Sequence, residues 1–125
     1  MPDITALLHA GLLVSDLERA RVFYESVLGL TRYPNRPDLP YPGAWYDLGG
    51  GQQLHLMCLP DPDADSVRPE HGGRDRHIAL AVANMAALKS RLDAAGVAYT
   101  ASQSGRAALF CRDPDMNTLE FVEVN

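Results

Sequence analysis

Apolar residues along the chain fall into short strand-like runs and longer stretches with helical spacing, and the order of these segments occurs twice. In the first half, the continuous apolar run 6–14 predicts a buried strand, because it is short and is bounded by polar Ser15 and Asp16. The next apolar positions have near-helical spacing and predict a helix capped by Ser15 or Asp16 that ends at Gly29. Three further strands are predicted over 30–33, 44–48 and 52–59, with a glycine turn over 49–51.

The second half repeats this order. An apolar strand is predicted over 77–82, followed by a helix that Asn84 caps and Gly96 ends. The last three predicted strands cover 97–100, 106–112 and 118–124. Pro, Asp, Gly and Arg are enriched over 60–76, which predicts a loop that links the halves. The sequence therefore predicts an α+β fold: two tandem βαβββ modules in one domain over 1–125, module one over about 1–59, a linker over about 60–76 and module two over about 77–125.

Composition argues against several classes of protein. The 125 residues carry a net charge of −5, and the basic residues are scattered rather than clustered with aromatics, so a nucleic-acid partner is not expected. No apolar run reaches the roughly 18 residues of a membrane span, and no secretory signal is visible, so a cytoplasmic protein is expected. Cys58 and Cys111 lie in apolar strand-like runs and are interpreted as small hydrophobic residues rather than a disulfide framework.

The candidate chemistry lies at matched places in the two halves. His9 and His77 fall in the first strand of each half, and His55 and Glu120 fall in the last strand. Alternation along a strand places His55 and Glu120 on faces with mostly apolar neighbours, where an unpaired polar group is costly. Any one of these residues alone is more often a hydrogen-bonded or solvated side chain. Together, the four groups can satisfy one another by sharing a cation, so the sequence predicts a metal site.

Four stretches resemble the vicinal oxygen chelate superfamily, which includes glyoxalase I, methylmalonyl-CoA epimerase, extradiol dioxygenases, fosfomycin-resistance thiol transferases and bleomycin-resistance proteins. The matching stretches are 9–17, 23–30, 74–80 and 112–121, and the resemblance covers essentially the whole chain. It implies that the two modules form a cupped, mostly antiparallel mixed sheet with the helices outside. The metal then lies in the cleft, either between the halves of one chain or across a homodimer interface.

The resemblance also implies a chemistry. His9, His55, His77 and Glu120 would be the metal ligands, and imidazole and carboxylate groups suit a divalent ion such as Zn, Ni, Fe, Co or Mn. Such a site chelates a small substrate through two adjacent oxygens and stabilises an enolate or oxyanion, as in a lyase or isomerase of glyoxalase type. Glu120 would act as the catalytic base, with His55 at the second carboxylate-type position.

Two features separate the chain from a glutathione-dependent glyoxalase. Related isomerases more often carry Glu or Gln where this chain has His55. The stretch 10–14 is uncharged, whereas glyoxalase I commonly has an arginine there for the glutathione carboxylate, so glutathione is not supported as the substrate. Arg74 and Arg76 are candidates for binding an anionic substrate group, and ion pairs with Asp75 or a neighbouring acid are the alternative. Arg106 allows the same two interpretations.

Two rival functions remain open. An Fe(II) extradiol-type dioxygenase uses two histidines and one carboxylate, but the fourth ligand and the short chain argue against it. A drug- or ligand-sequestering protein of bleomycin-resistance type would instead bind its ligand in an aromatic groove. The aromatic residues that could line such a groove are Tyr33, Tyr41, Trp45 and Tyr46, although aromatics near a hairpin more often belong to the core and its rim. In an enzyme, Trp45 and Tyr46 are predicted to bind the substrate together with Arg74 and Arg76.

Overall fold

The computed structural model describes residues 2–124 and contains two four-stranded sheets, each with one helix. Met1 and Asn125, the ends of the predicted modules, lie outside the described residues. The first half contains β1 His9–Leu13, α1 Leu17–Arg21 continued by a π-helical turn Val22–Val27, β2 Thr31–Arg32, β3 Gly43–Gly49 and β4 Gln52–Met57. The second half contains a 3₁₀ turn Gly72–Arg74, β5 His77–Val82, α2 Met85–Ala94, β6 Tyr99–Ala101, β7 Ala108–Arg112 and β8 Thr118–Glu123.

Both sheets have the same topology. The strand orders are β1-β4-β3-β2 and β5-β8-β7-β6. In each sheet the first strand pairs parallel with the last, and the other pairs are antiparallel. A parallel first pair requires a crossover, which the helix and the two middle strands supply. The α+β class and the repeated βαβββ order are therefore confirmed, with two four-stranded sheets as the units.

The predicted helix ends are also confirmed. Asp16 caps α1 by accepting a hydrogen bond from the backbone N–H of the third residue after it, at 3.1 Å, and Asn84 caps α2 in the same way at 3.0 Å. These side chains satisfy amide groups that the first helical turn leaves unpaired. Gly29 and Gly96 follow the helices with φ of 78° and 71°, values that glycine adopts without steric cost.

One face of each sheet packs against the helices and forms the core. Its largest fully buried side chains are Tyr24, Tyr46, Leu54, Leu56, Leu88, Leu92, Leu109, Leu119 and Val14. The modules are joined at Tyr24, whose hydroxyl donates to the buried carboxylate of Asp113 at 2.7 Å, and at Asn117, whose amide donates to the Leu13 carbonyl at 2.9 Å. The opposite face of each sheet stays open, and the four candidate metal ligands lie there.

Some local expectations need adjustment. The strand predicted over 6–14 is shorter, at His9–Leu13. Cys111 is buried as expected, whereas Cys58 is only partly buried, and both thiols are free. The turn after β7 places Met116 at a φ of 69°, a left-handed conformation that usually favours glycine or asparagine. Within residues 2–124, no helix is long and apolar enough to cross a membrane.

Candidate metal centre formed from two half-sites

The sheet register places the four candidate ligands in two equivalent pairs. In the parallel pair β1–β4, His9 lies two positions before the residue that pairs with His55. In the parallel pair β5–β8, His77 lies two positions before the residue that pairs with Glu120. Each pair is thus a diagonal contact on the open face of its sheet, and the duplication seen in the sequence extends to the register.

The pair His77–Glu120 is the better ordered of the two. His77 places its Nδ1 atom 2.8 Å from the backbone carbonyl of Asp75, and a carbonyl only accepts, so Nδ1 carries a proton. The other ring nitrogen, Nε2, lies 3.3 Å from Oε1 of Glu120. The Glu120 side chain is only 5% exposed, and its second oxygen accepts from Arg106 at 2.8 Å.

The His77–Glu120 geometry suits a cation. In the neutral ring, Nε2 presents a lone pair to a carboxylate oxygen, an arrangement that needs a proton or a metal between the two atoms. A tetrahedral ion with bonds of about 2.0–2.2 Å holds its ligand atoms roughly 3.3 Å apart, and the observed separation is 3.3 Å. The carbonyl bound to Nδ1 is the kind of outer contact that orients a metal-binding histidine. We call this pair the acidic half-site.

The pair His9–His55 is arranged differently. The two rings stack with centroids 4.2 Å apart and planes 16° from parallel, and Trp45 stacks on the other side of His55 at 3.8 Å. The Nε2 atom of His55 lies 2.9 Å from the side-chain oxygen of Gln53, so Nε2 must donate a proton there. Gln53 in turn donates to Asp47 at 2.8 Å. We call the pair His9–His55 the histidine half-site.

The histidine half-site fits a metal only after a rearrangement. An imidazole binds a metal in the plane of its ring, so two stacked, parallel rings cannot bind one ion together. For His55 to bind through Nε2, the ring has to leave the stack and release Gln53. Burial lowers the pKa of His55, and the positive charges of His9 and Arg36 lower it further, which favours the neutral form that metals bind.

The two half-sites do not meet in one chain. Among residues 2–124, no group of three or more His, Cys, Asp or Glu side chains is close enough to hold a metal ion. His9 and His77 are both exposed, each on the edge strand of its sheet. The structure therefore brings together His9 with His55 and His77 with Glu120, as two separate pairs.

Comparison with known proteins identifies the family. The family model described as the Glyoxalase/Bleomycin resistance protein/Dioxygenase superfamily matches residues 6–121. This chain belongs to that superfamily. Lactoylglutathione lyase of Haemophilus influenzae is 31% identical over 124 residues, covering 94% of this chain and 91% of the relative. "Glyoxylase I 4" of Arabidopsis thaliana is 27% identical over 117 residues, covering 90% of this chain and 67% of the relative.

Solved structures share the fold at lower identity. A glyoxalase family protein from Bacillus anthracis superposes with a TM-score of 0.76 at 21% identity, covering 100% of this chain and 99% of the other. TnmS3, an antibiotic-binding protein from Streptomyces sp. CB03234, gives 0.73 at 20% identity, with both chains covered completely. The fosfomycin resistance protein FosX of Listeria monocytogenes, bound to Mn(II) and a dihydroxypropylphosphonic acid, gives 0.72 at 18% identity, covering 98% and 94%. Proteins with different functions thus share this fold.

The aromatic candidates divide between the two faces of the first sheet. Trp45 is on the open face, stacked between His55 and Tyr33, whose ring centroid is 6.2 Å away. Tyr46, the next residue, points to the opposite face, is 0% exposed and donates its hydroxyl to Glu25 at 2.8 Å. The expectation that Tyr46 binds a substrate is therefore corrected, because its side chain is part of the core.

The arginine candidates also separate. Arg74 is exposed and lines a cavity of about 290 Å³ that includes the acidic half-site. Arg76 lines a different cavity and pairs with Asp63 at 3.3 Å. Asp75 pairs with Arg112 at 2.8 Å and with Arg68 at 3.4 Å, rather than with the arginines beside it in sequence.

Two contacts at the site were not anticipated from the sequence. The first joins Gln53 to His55, and strand alternation already places these residues on one face. The second joins Arg106 to Glu120 across the loop before β7. No local sequence pattern specifies which side chain reaches Glu120 from that loop, so this contact needed the three-dimensional structure.

Proposed function

We propose that this chain is a glyoxalase-like, metal-dependent enzyme of the lyase or isomerase type that binds a small substrate through adjacent oxygens. The acidic half-site supports the proposal most directly, since His77 and Glu120 are spaced as two ligands of one cation. The relatives named lactoylglutathione lyase and glyoxylase I agree with this class of chemistry.

The proposed metal centre is shared between two copies of the chain. His77 and Glu120 of one copy and His9 and His55 of another complete a four-ligand set, and twofold symmetry then gives two such sites per dimer. Within residues 2–124 the two half-sites of one chain do not meet, and both lie on open faces, which is the arrangement that a homodimer of this kind needs. A divalent cation bound there would polarise a substrate carbonyl as a Lewis acid.

The chain itself supplies the proton transfer. Glu120 is nearly buried and its carboxylate is held by Arg106, so Oε1 has a fixed position from which to accept a proton beside a substrate carbonyl. His55 is the second acid–base candidate in the proposal. Its Nδ1 atom makes no hydrogen bond within residues 2–124, while Nε2 donates to Gln53.

A ligand-sequestering role is the second candidate. Tyr33, Trp45, His55 and His9 form a row of stacked rings across the open face of the first sheet. Such a row suits a flat aromatic ligand, and TnmS3, of the same fold, is an antibiotic-binding protein. In that case the protein would bind an aromatic ligand without metal.

A complementation experiment tests the shared centre. One variant, His9→Ala/His55→Ala, lacks the histidine half-site, and another, His77→Ala/Glu120→Gln, lacks the acidic half-site. We expect each variant alone to retain almost no divalent metal. Mixed dimers, isolated with two affinity tags, should retain about one ion each, because one complete site is restored. Metal content is measured by elemental analysis after dialysis.

The controls separate the alternatives. Differently tagged copies of the same variant, mixed in the same way, should stay empty. If wild-type protein binds no divalent metal under any loading condition, the enzymatic proposal is wrong and the sequestering role is favoured. If the wild type binds metal but mixed dimers do not, the centre is not shared between copies.

A further inference from the structure

We propose that the cavity beside the acidic half-site binds the anionic group of the substrate, so that the substrate is a small acid with its chelating oxygens next to a carboxylate or phosphonate. This inference rests on the proposed function for the chelation and on separate contacts for the anion. The cavity, which we call the arginine pocket, measures about 290 Å³ and is lined by Arg74, Arg106, Ser102, Ser104, His77 and Glu120, among others.

Arg106 is held over the acidic half-site by the loop before β7. Its Nη2 atom donates to Oε2 of Glu120 at 2.8 Å, and its Nε atom donates to the hydroxyl of Ser104 at 3.3 Å. Ser104 is fixed in turn by Ser102, with the two hydroxyl oxygens 2.7 Å apart. These contacts use two of the three guanidinium nitrogens, and Nη1 makes no hydrogen bond within residues 2–124. That nitrogen carries two N–H donors that can bind an oxyanion.

Arg74 supplies a second cation. Within residues 2–124, its side chain makes no hydrogen bond or ion pair, although it lines the same cavity. Glu120 is the only carboxylate among the lining residues, and its charge is already matched by Arg106. The pocket therefore has an excess positive charge in a chain of net charge −5.

The neighbouring cavity has the opposite balance of charge among its lining residues. It measures about 410 Å³ and is lined by Asp61, Asp63 and Asp75 together with Arg68 and Arg76. There the acids outnumber the arginines, and each of these arginines pairs with one of the acids. An anionic substrate group is thus favoured in the arginine pocket and disfavoured in its neighbour.

Position and size then limit the substrate. His77 and Glu120 line the arginine pocket themselves, so an anion held by Arg74 and Arg106 lies next to the atoms proposed to bind the metal. The cavity of one copy, about 290 Å³, is just below the range of about 300–1,000 Å³ for ligand pockets and has room for a small anionic group. The class that fits is a small 2-oxo or 2-hydroxy acid or phosphonate, with the anionic group one or two bonds from the chelating oxygens.

The test measures binding of simple anions, which isolates the pocket from catalysis. Metal-free and metal-loaded protein is titrated at constant ionic strength with methylphosphonate, with acetate, and with acetamide as the neutral match for acetate. We expect anions to bind and acetamide not to bind. Arg106→Gln and Arg74→Gln should each weaken the preferred anion by roughly 10- to 100-fold, the usual effect of losing hydrogen bonds to a charged group. The tighter of the two anions distinguishes a phosphonate substrate from a carboxylate substrate.

A matched control removes a positive charge elsewhere. Lys89→Gln on α2 lowers the net charge by the same amount and should leave anion affinity unchanged. If the anions bind the arginine variants as tightly as the wild type, the pocket is not their site and the inference is wrong, while metal binding and the proposed function stand. If no metal binds, the proposed function fails, and the metal-free titrations still decide whether the pocket holds an anion. Arg74→Gln keeps the test valid should Arg106→Gln fold poorly, because the Arg74 side chain makes no hydrogen bond or ion pair within residues 2–124 that the substitution would break.

Discussion

Glu120→Gln is the change that most directly separates the metal-binding role of this residue from a structural one. The side chain is 5% exposed, and its oxygens contact His77 at 3.3 Å and Arg106 at 2.8 Å. Glutamine keeps the shape, its carbonyl can still accept from Arg106, and its amide can donate to the Nε2 lone pair of His77. We therefore expect the metal-free variant to unfold within about 1 kcal/mol of the wild type.

Metal binding should respond much more strongly. Losing a residue that hydrogen-bonds to a metal ligand typically lowers metal affinity about 10- to 100-fold. Losing the anionic ligand itself should therefore lower metal affinity by at least about 100-fold. At a free metal concentration of about 1,000 times the wild-type Kd, linkage stabilises the wild type by about 4.1 kcal/mol. The variant, with a Kd about 100-fold higher, gains only about 1.4 kcal/mol at the same concentration.

These free energies convert into melting temperatures. A chain of 125 residues unfolds with an entropy of about 0.26 kcal/mol/K. Metal should thus raise the Tm of the wild type by about 16 °C and that of Glu120→Gln by about 5 °C, as measured by calorimetry. Glu123→Gln is the control. Glu123 is on the same strand as Glu120, but its carboxylate accepts a hydrogen bond from the Met85 amide at the start of α2 and is not a proposed ligand, so metal should stabilise this variant as much as the wild type. Equal metal-induced shifts in wild type and Glu120→Gln would refute the assignment of Glu120 as a ligand.

Three further predictions test the core, the pH dependence and the histidine half-site. Tyr24→Phe removes a buried hydrogen bond to a carboxylate between the modules and should cost about 1.5–3 kcal/mol in urea unfolding; a cost near zero would contradict the inter-module bond. Burial raises the pKa of Glu25, but hydrogen bonds, first of all from Arg21, outweigh it and lower the pKa overall. Its stabilisation is therefore present above the unfolded pKa of about 4.3 and is lost as the pH falls through the folded value, so Glu25→Gln should flatten the acid limb of the stability curve. Trp45 is the only tryptophan and stacks on His55, so metal should change the tryptophan fluorescence of the wild type as the stack opens; an unchanged spectrum at saturating metal would mean that His55 stays in place.

The repeated fold was predictable because its signals are local. The caps Asp16 and Asn84 and the terminal glycines Gly29 and Gly96 each act within one or two turns, and the structure confirms all four. The strands between them follow from short apolar runs, and the observed register places His55 and Glu120 at equivalent positions. Local chemistry that occurs twice in the same order is strong information about topology.

The details of the site depended on contacts that local patterns do not contain. Trp45 and Tyr46 are adjacent in one strand, and alternation allows only one of them to face the open side, so only Trp45 can contact a ligand there. The bond between Arg106 and Glu120 depends on the path of a loop, and the stacking of His9 on His55 depends on side-chain rotation. Sequence spacing specifies neither of these.

His55 lies where related isomerases more often carry Glu or Gln. This difference changes the charge of the proposed metal centre, which lies beside the arginine pocket. In the proposed set, three imidazoles are neutral and Glu120 supplies one negative charge, so a divalent ion leaves the centre with a net charge of about +1. A second carboxylate in place of His55 would cancel that charge. The proposed centre would then carry a net positive charge beside Arg74 and Arg106, and Arg74 has no protein partner within the described residues. An anionic substrate neutralises this excess on binding, whereas a neutral carbonyl compound leaves it uncompensated in a partly buried site. If His55 is a metal ligand as proposed, its neutral imidazole in place of a second carboxylate therefore favours a small acid as the substrate.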